Sequence, residues 1–278
     1  MLSKMEEQMK KTILFSLLAV FMGSLVFTGS KTFADELSGY DIALKVKNAN
    51  KSTKRIVWSK LTVKEKGKVV EQRTLVLKTF RKDNKDKALF RFTSGLKRDV
   101  TMLSIEQEEG KDNIQYVYTP GVGRPRQIDS SEKQNNFEDT DFTNEDLGAR
   151  KIEDYTYKRL GDETLKIGKQ SFTCFVVVSE NKNPNAKYPK YKTWIDQQSL
   201  VPVKIESYGK DGTMKKTGVS AAVKEVKPGI FMSYYVYAKD LETGHESIMT
   251  VTNVVMDPSD LSENLFEPAN MSKPWKEK

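Results

Sequence analysis

The chain has 278 residues and is basic, with 46 Lys and Arg against 38 Asp and Glu, and it holds a single cysteine and a single histidine. One cysteine excludes an intramolecular disulfide, and Cys174 with His245 cannot make a conventional zinc set, which leaves little for imidazole-based hydrolysis. Charges of both signs are interleaved without a basic block, which argues against nucleic acid as a partner.

In chain order, the first segment reads as an address. Lys10 and Lys11 precede an uncharged apolar run from Thr12 to Ser30, and Thr32, Phe33 and Ala34 follow with small residues at the first and third places. That is the order of a secretory signal peptide over residues 1–34, cleaved after Ala34, and it predicts a periplasmic protein. An uncleaved inner-membrane anchor is the alternative, since about 20 apolar residues span a bilayer. No cysteine lies near Ala34, so lipid attachment there is excluded. Residues 35–278 suffice for one large domain with a sizeable core.

Leu37, Tyr40 and Leu44 recur at helical spacing and predict a helix over 37–46. Alternating apolar residues then predict strands over 55–63, 73–80, 88–92, 113–118, 190–196, 202–208 and 230–238, with turns at 65–68, 209–212 and 240–244. Strands joined by such short connections make an antiparallel meander. A short helix is expected at 259–265, behind Pro258. Cys174, inside the apolar run FTCFVVV, reads as a buried core thiol.

The acidic stretches EQEEG (106–110) and EDTDFTNED (138–146) could serve a carboxylate-only site, but the second lacks the spacing of a calcium loop and both read as solvated turns. No metal site is expected. The segment 120–148 is longer than ordinary loops and contains Ile128, Phe137, Phe142 and Leu147, which predicts an ordered flap. Within it, Thr143 and Asp146 have capping-box spacing, and Arg124 and Arg126 are candidate ion partners for Asp141 or Asp146.

Taken together, YTPGVGRPRQI (118–128), DFTNEDL (141–147), YKRLGDE (157–163), WID (194–196), PVKIESYGKDG (202–212), TGHES (243–247) and LFEP (265–268) resemble the outer-membrane lipoprotein-sorting proteins with a LolA-like fold. The segment DVTMLSI (99–105) departs from the small, glycine-containing version usual there. The resemblance implies a mainly β fold: a strongly curved antiparallel sheet, an open half-barrel, with a few short helices and loops closing its concave side. It implies one domain over 35–278 that carries acyl chains of lipoproteins or lipids in an apolar concavity, as a monomer, with an inner-membrane transporter as partner. It implies neither a cofactor nor a catalytic residue.

Tyr116, Tyr118, Trp194, Phe231, Met232 and Tyr234 are the candidate lining residues. Phe142 and Leu147 are expected to pack inward from the flap, with its acids facing water. Two other readings stay open. A non-catalytic accessory subunit of a transporter would fill the concavity with its own side chains, and a carboxylate hydrolase would project two acids into it about 5–10 Å apart.

Overall fold

Period-two burial organises the described residues, 36–148 and 150–275 of this computed structural model. The expected signal peptide lies outside them. In β1 (Lys54–Glu65), Val57, Ser59, Leu61 and Val63 are buried while their neighbours alternate outward, as a strand covered on one face requires. Residues from Leu37 onward form one compact unit.

Two meanders make up a single sheet. The first runs through β1, β2 (Lys68–Lys82), β3 (Lys85–Phe92), β4 (Thr101–Ile105), β5 (Ile114–Tyr118) and the short β6 (Arg126–Gln127). The second runs through β7 (Tyr155–Ile167), β8 (Gln170–Asn181), β9 (Lys190–Asp196), β10 (Pro202–Tyr208), β11 (Met214–Lys227), β12 (Ile230–Asp240) and β13 (Glu246–Met256). Pairing of β1 with β13 joins them into a 13-stranded antiparallel sheet with the order β6-β5-β4-β3-β2-β1-β13-β12-β11-β10-β9-β8-β7. The two edges, β6 and β7, are consecutive in sequence yet do not pair, so the sheet is an open half-barrel. The long edge β7 is blunted by Lys158, Arg159, Asp162 and Glu163 and by a register shift between Arg159 and Gly161, the usual defences against edge-to-edge association.

All seven expected strands are present, and β10 matches its expected limits. The expected turns also form: Lys66 and Gly67 take positive φ between β1 and β2, and Asp240 Oδ1 accepts from the backbone N–H groups of Glu242 and Thr243 between β12 and β13. Strands β4, β6, β7, β8, β11 and β13 were not anticipated as strands.

The single α-helix among the described residues, α1 (Gly39–Asn48), begins two residues later than expected because Ser38 caps it. Ser38 Oγ accepts from Asp41 N–H, and the Asp41 carboxylate accepts from Ser38 N–H, both at 3.1 Å. Its buried face is also different. Ile42 is fully buried and Val46 packs beside it on Val177 of β8 and Ile195 of β9, whereas Tyr40 and Leu44 are largely exposed. Gly39 fixes that orientation, since a Cβ there would lie 2.9 Å from Arg159 N and 3.0 Å from Lys158 on β7. At the other end, the expected helix 259–265 is two 3-10 turns, Glu263–Phe266 and Pro268–Asn270; Pro268 has no N–H to continue the first.

The two faces of the first meander carry separate cores. Leu61, Leu75, Phe90, Phe92 and Met102 meet the flap residues Ile128, Phe137 and Phe142 on the inner face. Leu89 and Leu103 meet Leu261, Phe266 and Met271 of the C-terminal segment on the outer face. Arg91, buried, ties that segment down: Nη1 donates to Lys273 O at 2.9 Å, Nη2 to Met271 O, and the guanidinium lies 4.4 Å from the Trp275 ring centroid. On the second meander, Phe172, Cys174, Val176, Trp194 and Val203 form the core opposite α1. Cys174 is fully buried there, and burial, with Asp196 next, pushes its thiol pKa up to about 12, as expected of an inert structural thiol.

Gly39→Ala should lower stability. The helix gains at most about 1 kcal/mol from the exchange, while forcing a methyl against the β7 backbone costs about 1–3 kcal/mol. Thermal unfolding checks the sign: a fall in Tm is expected, and a rise would mean that α1 is free to shift off β7.

Candidate ligand cavity

The inner face is incompletely filled. Between α1, the second meander and the start of β1 lies a cavity of about 500 Å³. Its apolar wall comes from Ala43 and Val46 of α1, Tyr157, Val177, Ile195 and Ile205 of the sheet, Ile152, and Phe231 and Met232 at the start of β12. A second cavity of about 280 Å³ lies under the flap, between Val57, Leu75, Leu77, Phe90, Phe142, Leu147, Val236 and Met249. The two share Arg55, Met232 and Ser233. At this junction the sheet parts, because β12 pairs with β13 only over Tyr235–Lys239 while the end of β13 continues along β1.

Asn50 holds the mouth of α1 in place. In left-handed backbone (φ 55), it donates from Nδ2 to Ser199 O at 2.8 Å and accepts at Oδ1 from Phe231 N–H at 2.7 Å, joining the helix end to the β9–β10 turn and to β12. Polar groups on the larger cavity are mostly paired: Lys47 with Glu106 at 3.4 Å, Lys51 with Asp86, and Arg150 with Asp146 at 3.2 Å. Arg55 differs. Its Nε is buried without a hydrogen-bond partner among the described residues, and Nη1 reaches only Met232 Sδ at 3.9 Å. Burial lowers its pKa, partly offset by Asp86.

The flap that roofs the smaller cavity is a tight hairpin. Asn136 bridges Thr143, and Phe137 N–H donates to Phe142 O at 2.8 Å, which drives Phe137 and Phe142 down onto Phe90 and Phe92. Phe137 stacks on Phe92 with centroids 5.8 Å apart. A buried clasp holds the hairpin to the β12–β13 connection. Asp141, 1% exposed, accepts at Oδ2 from His245 Nδ1 and from Ser247 Oγ, each at 2.8 Å, and its own N–H donates to Ser247 Oγ at 2.9 Å. From the far side, buried Arg73 donates to Glu138 O at 2.8 Å while paired with Glu71 and stacked on Phe92.

These contacts correct two expectations about the flap. Asp141 does not face water, and neither it nor Asp146 is partnered by Arg124 or Arg126. Arg126 pairs with Glu132 at 2.7 Å, whereas Asp146 is held by Lys216 at 2.9 Å and by Arg150. Burial pushes the Asp146 carboxyl upward, but Lys216 and Arg150 outweigh it and its pKa is lowered. A lowered carboxylate stabilises the fold above the ordinary aspartate range, and that contribution fades as pH falls through the lowered value. The capping-box bonds of Thr143 and Asp146 are both present, although the segment closes as a turn instead of a helix.

A family model described as "Uncharacterized protein" matches residues 84–273, which span the sheet from β3 to the C-terminal segment. The chain belongs to that family. Its fold is LolA-like. A structure described as an outer membrane lipoprotein-sorting protein domain, from Vibrio parahaemolyticus, matches with a TM-score of 0.75 at 24% identity over 84% of this chain and 98% of its own. A DUF1329 family protein from Desulfovibrio piger matches with a TM-score of 0.74 at 21% identity over 84% and 97%. A LolA superfamily protein from Nitrosomonas europaea does so with 0.61 at 17% over 84% and 98%. A comparison with curated proteins finds no match.

Within this LolA-like frame the candidate lining residues separate. Phe231 and Met232 line the larger cavity, and Met232 lines both. Tyr116 and Tyr118 point the other way: Leu103 pairs with Tyr116 in the outer core, whereas Met102 pairs with Val117 in the inner one. Trp194 also lies opposite α1, with Nε1 donating to Glu163 at 2.7 Å, and Tyr234 stacks under Lys224 at 4.2 Å. Arg124 lies on an exposed turn, while Phe142 and Leu147 line the smaller cavity. Arg55 and Asn50 were not anticipated. Arg55 had a readable signal, since it occupies the same alternation phase as Val57, Ser59 and Leu61.

Asp141→Ala removes the acceptor of a buried clasp and should cost about 1–3 kcal/mol. Limited proteolysis between 128 and 148 should accelerate in parallel. Asp139→Asn, two residues earlier at an exposed side chain whose left-handed backbone (φ 58) asparagine tolerates, serves as control and should stay within about 0.5 kcal/mol of wild type. Equal effects from the two variants would contradict the clasp.

Proposed function

We propose that this chain is a non-catalytic periplasmic carrier that shields acyl chains of lipids or lipoproteins between membranes, acting as a monomer with an inner-membrane transporter as its partner. The observation that carries this reading is the preformed cavity of about 500 Å³ beneath α1, walled by aliphatic side chains. It falls inside the usual range of small-molecule sites. A space of that size is large enough for a single acyl chain. Burying each methylene is worth about 0.8 kcal/mol, which gives the cavity its driving force.

Three further observations support the reading. A relative of the same fold is described as an outer membrane lipoprotein-sorting protein domain. The apolar run from Thr12 to Ser30 has the order of an export signal. The acids on the two cavities are Glu106 and Asp146, each committed to a cation, an arrangement suited to neither half of a carboxylate acid/base pair.

Native mass spectrometry of protein purified from its own envelope without detergent tests this directly. A stoichiometric acylated species is expected. Ala43→Phe, which narrows the cavity from the helix side, should reduce the loaded fraction at least threefold while the chain stays folded. A clean apo mass that persists after incubation with lipopeptide and membrane lipid would overturn the carrier reading in favour of an accessory subunit.

A further inference from the structure

Arg55 stands on the inner face of β1 in the same phase as Val57, where an apolar side chain would pack best. A guanidinium offers five N–H donors. Here Nε has no partner among the described residues, and the Nη1 contact is with a thioether, a weak acceptor. Arg55 as a whole is half-buried, but a buried N–H left without an acceptor costs the fold its desolvation penalty, so its retention at this point calls for a compensating partner.

The surrounding charges offer none. Among the cations on the larger cavity, Lys47 has Glu106, Lys51 has Asp86, and Arg150 has Glu145 and Asp146. Asp86 is the acid that acts on Arg55, and it is already engaged by Lys51 and by Arg81 at 3.0 Å. With Lys47, Lys51 and Arg150 each matched by an acid, Arg55 is the lining cation that has no salt-bridge partner among the described residues, in an otherwise apolar space. Arg55 is also shared by both cavities. A group bound there would sit at the head of the space running under α1.

We propose that Arg55 is the anchor for an anionic head group, so that the cavity takes single-chain amphiphiles bearing a carboxylate or phosphate in preference to neutral ones. This rests on the carrier reading and names its ligand class. The planar fork of Arg55 matches two oxygens of such a group. The chain would then extend past Met232 toward Val177, Ile195 and Ile205.

Binding by isothermal titration calorimetry of palmitate, palmitoyl lysophosphatidate and hexadecanol to the delipidated protein tests it, with acetate and inorganic phosphate as chainless controls. Both charged amphiphiles should bind wild type at least tenfold tighter than hexadecanol, and the chainless anions should bind far more weakly. In Arg55→Gln the preference should fall to within twofold while hexadecanol affinity is kept; Arg55→Lys should retain part of it. Equal affinity of wild type for palmitate and hexadecanol would overturn the anchor and leave the carrier reading standing, as would a preference that survives Arg55→Gln. Failure of all three amphiphiles would overturn both, and tight binding of acetate or phosphate alone would replace the amphiphile by a free anion and overturn the proposal.

Discussion

An antiparallel sheet that does not close has a face to cover, and that constraint organises this molecule. Because β6 and β7 are the two edges and also neighbours in sequence, the segment that joins them has to pass the opening of the half-barrel. It fills the first meander's side with Ile128, Phe137 and Phe142. Helix α1 covers the second meander's side with Ile42 and Val46. Neither cover reaches fully to the seam where β12 leaves β13, and the two cavities meet there.

The two covers are secured by different physics. Helix α1 is held along its length by non-directional aliphatic burial, with directional bonds from Asn50 at its C-terminal end. The flap is held by directional, buried polar contacts: Asp141 on His245 and Ser247, Arg73 on the Glu138 carbonyl, and Lys216 on Asp146. Each such bond adds only about 1 kcal/mol when made but costs more when one partner is stranded. The flap therefore has one well-defined seat. The larger cavity lies under the helix and the smaller one under the flap.

Much of this was legible in the chain. Clean alternation in 113–118 and 190–196 marked β5 and β9, a looser one in 202–208 marked β10, and turn chemistry at 65–68 and 240–244 marked the hairpins. The strands that escaped notice, such as β11 and β13, are half-exposed along most of their length, so no apolar phase stands out from them. The flap's aromatics announced that it is ordered, but its polar partners were out of reach: the His245 and Ser247 contacts span more than a hundred residues. Period two also cannot say which phase faces inward. Tyr116 and Tyr118 alternate perfectly and belong to the outer core, while the inner phase of β5 carries Gln115 and Val117. The helix face failed for a related reason, because Gly39 contributes to docking by the absence of a side chain.

The central claim is that an acyl chain lies on the inner face beneath α1. The direct measurement is paramagnetic broadening of methyl resonances by a nitroxide-labelled fatty acid. The account predicts broadening of Val177, Ile195 and Ile205 on the cavity wall, with Leu89, Leu103 and Leu261 of the outer core unaffected. Broadening centred on the outer core, or spread evenly over both faces, would contradict it.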